Sequence, residues 1–402
     1  MQIQRCSESE PIPTEGSGRS NPHGTTMLHT DAQSSGFDMA APERPAQKIL
    51  RRMSDQRQPT VSILIKALNE EQHIAAAIES ALEAIRNIEG EVILADGGSS
   101  DRTIDIARQY PITIVQLNRM EDRSCGSGAQ LGFQYSCGEF LMLIDGDMQL
   151  ESNFIAVAIQ TLRTSSSVAG VGGAIRDSGI LNEEYEQRNK RHDPDRRIGR
   201  VTRLNCAGLY RRTAIESIGY LTDRNLHGGE ELDLGARLRA AGWMLARIEH
   251  SMVEHHPHTG SAYGLLVRRF LNKNAWGPGE ALRGAMWHPH FWLVSKERQY
   301  LTILLAMCWW LTFGFTILAL SGWLVFAAGL ILLAPFAGMA LRWRSVRLAL
   351  YSVMSWNVCL LGFWPGYLRR RKPPASWIES TVLQEPWNCS AASRARHGNS
   401  AQ

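Results

Sequence analysis

LMLIDGDMQL, Leu141 to Leu150, is an apolar run that stops abruptly at Asp145-Gly146-Asp147. The run reads as a buried strand, and two carboxylates one residue apart at its carboxyl edge point toward the same small volume. Glycine between them lets the backbone approach a ligand closely. A hard cation such as Mg²⁺ or Mn²⁺ takes oxygen ligands, commonly one or two carboxylates completed by substrate phosphates. The stretch therefore predicts a metal–diphosphate site at the end of a sheet. The same three residues also suit a plain β-turn, so the surroundings decide.

Upstream, strands and helices alternate. VSILIKAL (Val61–Leu68) is a near-continuous aliphatic run, as a strand covered on both faces shows. Asn69 is placed to cap a helix in which Ile74, Ala77, Ile78 and Ala81 recur at helical spacing. EVILAD (Glu91–Asp96) is a second strand, broken by GGSS, with a helix from near Asp101. ITIVQL (Ile112–Leu117) is a third strand, and a helix around Ala129–Tyr135 leads to the strand that ends in Asp145. This alternation predicts a mostly parallel, doubly wound α/β sheet. Ligands bind at the carboxyl ends of such strands, which is where Asp96 and Asp145 fall.

Downstream, residues 175–200 are charged and irregular, a solvated loop or a mobile lid over an acceptor. RLNCAGLYRR (Arg203–Arg212) returns to strand character, and a helix runs from Glu230 to Ala240 with Gly242 as its stop.

The chain has 402 residues and a net charge of +4, and it lacks a Lys/Arg run interleaved with aromatics, so nucleic acid is not an expected partner. Seven scattered cysteines without CxxC spacing argue against a disulfide framework or structural zinc. Residues 1–58, rich in Ser, Pro and Gln, read as a disordered tail without the pattern of a cleavable signal peptide. Residues 59–260 form the α/β domain, 261–298 an amphipathic, interfacial linker, and 371–402 a disordered tail. Between them, 299–370 reads as an all-α transmembrane region with apolar segments at 300–320, 322–341 and 348–368. Basic residues lie at Lys296 and Arg298, at Arg342, Arg344 and Arg347, and at Arg369–Lys372. The positive-inside rule draws all three clusters to the cytoplasm, yet three full spans would put the last one outside. The third segment is therefore a span that violates the rule, or a re-entrant or interfacial helix.

Four acidic stations occur in order: Asn69-Glu70, the DGGSSDRT loop (Asp96–Thr103), DGD (Asp145–Asp147) and GGEELDL (Gly228–Leu234). Together they resemble the inverting, nucleotide-sugar-dependent family-2 glycosyltransferases, over about residues 60–260. The resemblance implies a GT-A fold and a Mg²⁺ or Mn²⁺ cofactor. Glu70, Asp96, Asp101 and Asp145, with Arg123, would bind the nucleotide-sugar, and Asp145, Asp147 and His255 would hold the metal. Glu231 matches the catalytic base, with Glu230 and Asp233 as alternates because Glu replaces the more usual Asp. Arg119 and Arg123 are placed either to touch the diphosphate or to lie exposed.

Lys66 and Leu68 stand where the family often has Pro and Tyr. Leu266-Val267-Arg268-Arg269-Phe270 lacks the Gln and Trp of the chain-holding QxxRW motif of polysaccharide synthases. Single-sugar addition is the expectation. The membrane tail resembles that of bacterial exopolysaccharide-assembly transferases of the succinoglycan type. That likeness implies a polyprenyl-linked acceptor, contact with membrane lipids, and a multi-pass protein of the bacterial inner membrane with a cytoplasmic catalytic domain. A sugar-phosphate nucleotidyltransferase, or an inactive scaffold of the same fold, are the competing readings. The first should show an early GxGxRL-type loop, and none follows the first strand.

Overall fold

The structure, a computed structural model, describes residues 59–178, 183, 186–187, 196–205, 207–256, 260–318 and 322–386. The tail expected at 1–58 lies outside them. β1 (Val61–Ala67), β2 (Gly90–Asp96), β3 (Thr113–Leu117) and β4 (Phe140–Asp145) alternate with α1 (Ile74–Ala84), α2 (Thr103–Ala107) and α3 (Cys125–Tyr135). Then come β5 (Met148–Leu150), α4 (Phe154–Thr164), β6 (Val168–Asp177), β7 (Gly199–Val201) and β8 (Gly208–Arg211). α5 (Arg212–Ser217), α6 (Glu230–Ala240) and β9 (Met244–His255) complete the part expected to be α/β.

All described strands join one sheet in the order β10-β3-β2-β1-β4-β8-β6-β9-β5, with β7 on β9. β3, β2, β1 and β4 are mutually parallel. Beyond β4 the sheet turns mixed: β4–β8, β6–β8, β5–β9 and β7–β9 are antiparallel, and β6–β9 is parallel. The mostly parallel sheet expected from the alternation thus holds for the first half only. The signal weakens at β6, whose neighbour β8 runs antiparallel to it. One core face, built on Ile63, Ile65, Leu94, Met142 and Phe154, packs against α1 and α4. The other, built on Leu64, Ile93, Leu141 and Tyr210, packs against α3 and α6.

Two expectations for the flanks need correction. Residues 261–298 are helices α7 (Ala262–Leu271), α8 (Gly277–Ala285) and α9 (Phe291–Ser295) rather than a linker. Ala281, Ala285 and Val294 bury against Leu226, Leu232 and Ala236, which attaches α8 and α9 to α6. The tail expected at 371–402 contains β10 (Ser380–Gln384), which pairs antiparallel with β3. An open β3 edge carries unpaired backbone groups, and β10 covers it, helped by fully buried Ile378 and its backbone bonds with Gln134.

Helices α10 (Arg298–Leu318), α11 (Gly322–Trp343) and α12 (Val346–Leu368) match the three apolar segments. Each is long and apolar enough to cross a membrane.

Candidate active site

The carboxyl ends of β1, β2 and β4 open into a cleft of about 760 Å³. Its floor carries Lys66, Glu70, Asp145 and Asp147, and its far wall carries His255 and, from α7 and the turn after it, Arg268, Arg269 and Lys273. Gly146 is needed here for packing rather than for ligand approach, since an added Cβ would lie 3.0 Å from Glu70 Cγ and 3.1 Å from Ala67 Cβ.

The acids are crowded. Burial, then Asp147 and Asp145, push the Glu70 carboxyl up to about 8. Burial also pushes Asp145 up to about 6, with Asp147 and Glu230 adding to it and Lys66 opposing it. His255 Nδ1 lies 2.9 Å from Asp177 Oδ1, and its Nε2 lies 3.4 Å from Asp147 Oδ2. Burial disfavours the imidazolium, but these two carboxylates outweigh it and raise His255 to about 9. Among the described residues no three acidic, His or Cys side chains form a ready-made metal cage. The donor set of Asp145, Asp147 and His255 still fits a divalent cation whose shell is completed by diphosphate oxygens, as hard cations commonly bind.

Lys66, seen in the sequence only as a departure from the family, lies at the centre. Its Nζ is 2.8 Å from Glu230 Oε1 and 3.2 Å from Asp145 Oδ1. It joins the β1 edge to the start of α6, 164 residues later. Glu230 and Glu231 open the first turn of α6, where the helix dipole favours acids. They do not line the cleft. They line a cavity of about 20 Å³ on its inner side, and Lys66 lines both spaces. Burial and then Glu230 raise the Glu231 carboxyl to about 7. Asp233, an alternate for the base, lines neither space: it is buried, with Arg237 Nε at 2.7 Å and His290 Nε2 at 3.7 Å.

Asp96 and Asp101 are not part of the cleft lining. Asp96 is fully buried and accepts hydrogen bonds from Gly98 N, Ser99 N, Ser99 Oγ and Gln116 Nε2, all within its own loop and β3. Asp101 accepts from Thr103 N and Oγ1 and from Glu71 N. Both shape the loop that borders the cleft. Arg123 lines the cleft and clamps that loop, donating to Gly97 O at 2.8 Å and Gly98 O at 2.9 Å. Arg119 pairs with Glu121 and is about half exposed. Asn69 does not cap α1. It sits at φ 58°, and its side chain accepts from Ser100 N, tying the two loops together.

A further cluster went unread in the sequence. His227 lines the cleft, and its Nδ1 lies 2.8 Å from Glu280 Oε1, which Arg369 also approaches at 3.2 Å. The packing of α8 against both α6 and α12 brings these three together.

A parallel nucleotide-binding half with acids at its strand ends, continued by a mixed half, defines the GT-A class of glycosyltransferase folds. Residues 62–219 match Glycosyl transferase family 2, and the chain carries a glycosyltransferase domain of that family. This removes the nucleotidyltransferase reading. The chain is 24% identical over 248 residues to the succinoglycan biosynthesis protein ExoA of Rhizobium meliloti, covering 57% of this chain and 71% of that one. It is 30% identical over 131 residues to an undecaprenyl-phosphate 4-deoxy-4-formamido-L-arabinose transferase of Pectobacterium carotovorum, covering 31% of this chain but only 39% of the relative. The fold also matches the mannosyltransferase PcManGT of Pyrobaculum calidifontis, solved with GDP-Man and Mn²⁺, at a TM-score of 0.51 and 15% identity, over 79% of this chain and 93% of that one.

Proposed function

We propose that this protein is a membrane-anchored, metal-dependent, inverting glycosyltransferase. It moves one sugar from a nucleotide-sugar, a UDP-sugar by preference, to a polyprenyl-linked acceptor in exopolysaccharide or cell-envelope glycan assembly. The catalytic domain faces the cytoplasm of a bacterial inner membrane.

The observation that carries the reading is the crowding of Glu70, Asp145 and Asp147, which lifts two of these carboxyls well above their ordinary range. Carboxylates packed this way call for a counter-cation in the working state. Asp145, Asp147 and His255 would hold it. A divalent cation supplies, when bound, positive charge to the departing nucleoside diphosphate. Arg123 keeps the DGGSS loop in place beside the donor, and Glu70 closes the cleft on that side.

Glu231 is the proposed base. A carboxyl at about 7 is well matched to taking a proton from an acceptor hydroxyl at neutral pH. The Lys66 side chain stands between Glu231 and the cleft, so it must yield when the acceptor enters. The lipid acceptor is supported by the cleft wall itself. α7 sets Arg268 and Arg269 in the cleft beside Leu271, which is 71% exposed. Charge for a phosphate and an apolar surface for a prenyl chain are thus adjacent.

The test uses full-length protein in membranes with Mn²⁺ or Mg²⁺, a panel of UDP- and GDP-sugars, and polyprenyl-linked acceptors. Release of nucleoside diphosphate that needs metal and acceptor, and is lost in Asp147→Asn and Glu231→Gln, is the expected result. Silence across the panel together with no nucleotide binding would leave the scaffold reading.

A further inference from the structure

Helix α12 has 23 residues, a length of about 34 Å at ~1.5 Å per residue, enough to cross a hydrocarbon core of about 30 Å. A helix that crosses puts its ends in opposite compartments, and one folded domain can touch only one of them. Both ends of α12 touch the catalytic domain.

At the amino end, Gln187 Nε2 donates to Leu348 O at 2.9 Å and lies 2.8 Å from Ser352 Oγ. Arg347 pairs with Glu186 at 2.6 Å. Gln187 and Glu186 belong to the segment between β6 and β7, NEEYEQRNKRHDPDRR (Asn182–Arg197), far too charged to pass through a bilayer. At the carboxyl end, a Cβ on Gly362 or Gly366 would overlap the carbonyl oxygens of Ala275 and Trp276. The α12 backbone therefore lies directly against the turn Asn274–Trp276, whose Asn274 lines the cleft. Just beyond, Arg369 pairs with Glu280 and Arg371 with Asp223, and the chain enters the sheet as β10. Between them, Tyr351 in the second turn and Val358 near the middle pack on Ala262 and Leu266 of α7.

The other two apolar helices behave differently. α10 leaves the domain beside Tyr300, whose hydroxyl donates to Pro278 O at 3.0 Å. α11 returns to it, ending where Trp343 Nε1 donates to Ser352 Oγ at 3.1 Å. In their most apolar windows 11% and 6% of residues are buried, against 39% in α12.

We infer that the chain crosses the bilayer only twice, as α10 and α11. Helix α12 lies in the plane of the membrane surface beneath the catalytic domain. Its outer stripe, Leu350, Met354, Leu361, Trp364 and Leu368, is 43–75% exposed and rests on the acyl boundary of the leaflet facing that domain. Trp287, 93% exposed, and Trp292, 67% exposed, stand in the stretch that leads into α10, and exposed tryptophans next to a span suit the interface. The arrangement also resolves the charge pattern. With two crossings, Lys296 and Arg298, Arg342–Arg347 and Arg369–Lys372 all fall on one side, as the positive-inside rule requires.

Sidedness is the test, on full-length protein in right-side-out and inverted vesicles, read as mass shift over the parent with a membrane-impermeant maleimide. Arg370→Cys is expected to react from the same side as Asp105→Cys on the catalytic domain, and Trp323→Cys from the opposite side. Reaction of Arg370→Cys together with Trp323→Cys would overturn the inference. A protease-cleavable tag after Gln402 gives the same answer without altering the helix. Nitroxide labels at Leu350, Met354, Leu361 and Leu368 distinguish the in-plane helix from a re-entrant one. One shallow depth is expected throughout, and a descent to the bilayer centre near Leu361 would overturn it.

Discussion

Strands β3, β2, β1 and β4 run parallel and end in the acids and loops that border the cleft, whereas β8, β6, β9 and β5 pair in mixed directions, with α6 beside β9 and α8 and α9 packed in turn on α6. The first half is built from contacts near in sequence: Asp96 holds Ser99, Asp101 holds Thr103, and Asp145 and Asp147 flank one glycine. The second half works through distant pairs: Lys66 with Glu230, His227 with Glu280, and Gln187 with Ser352. In the proposed function the nucleoside diphosphate is a constant ligand that local motifs can serve, whereas the acceptor varies and its side of the cleft would be assembled by packing. Lys66, on the first half and paired to both, is where the two meet.

The comparison breaks most visibly at Asp147. If the first half holds the diphosphate and its cation, Asp147→Asn lowers kcat/KM by about a thousandfold, the upper range for one electrostatic group. Chelation of divalent metal has the same effect on the native protein. Nucleoside diphosphate release checks both. Near-native turnover in Asp147→Asn would move the chemistry out of this half.

Glu231→Gln tests the other side. Loss of a general base costs roughly a hundredfold or more in kcat, with donor affinity unchanged, as measured by turnover alongside nucleotide titration. If Glu231 is the base, it is active in the native protein only when ionised. With its carboxyl raised to about 7, kcat/KM rises with pH up to about 7, levels off above it, and is lost below it. Glu230→Gln removes a like charge and leaves Lys66 nearer to Glu231, so both changes ease ionisation. The acid limb of the profile then moves to lower pH. A limb that stays in place assigns the titration to another group.

Asp233→Ala separates structure from chemistry within the same helix. It leaves Arg237 buried without its carboxylate, at a cost of about 3–5 kcal/mol, partly offset by the bonds Arg237 keeps to Tyr220 O and Leu221 O. Denaturant unfolding should show this loss, while activity per folded molecule stays near native. A selective collapse of kcat with intact stability would return Asp233 to the list of bases.

The sequence makes the first half legible because period and punctuation coincide there: an aliphatic run, then an acid, then a helix. Element positions from Val61 to Asp145 are readable to within a few residues. The reading of Asp96 as a ligand residue did not foresee that its buried carboxylate accepts four bonds from its own loop and neighbouring strand. Strand alternation marks where an acid stands, but which way it turns depends on Gln116 from the next strand. β10 escaped because STVLQ is short and set in a polar tail, and only the open edge of β3 explains it. α12 shows the limit most clearly. Its composition is that of a span, and only its contacts at both ends give its direction.

The smallest expected effect concerns the wall where the halves face each other. Arg268 lines the cleft, and its charge opposes the rise of the Glu70 carboxyl, so it acts on the acidic floor from the opposite wall. If its main partner is the phosphate of a lipid acceptor, Arg268→Ala raises KM for that acceptor by about tenfold, the ~1.5 kcal/mol of one charge-assisted hydrogen bond. KM for the donor stays within about twofold, because the divalent cation and Arg123 remain. Should the donor KM rise instead, Arg268 serves the diphosphate, and the boundary between the two halves runs through α7 rather than beside it. Arg268→Lys separates the cases further. A point charge suffices for a mobile lipid phosphate, but it does not replace the planar fork that a fixed diphosphate oxygen pair would use.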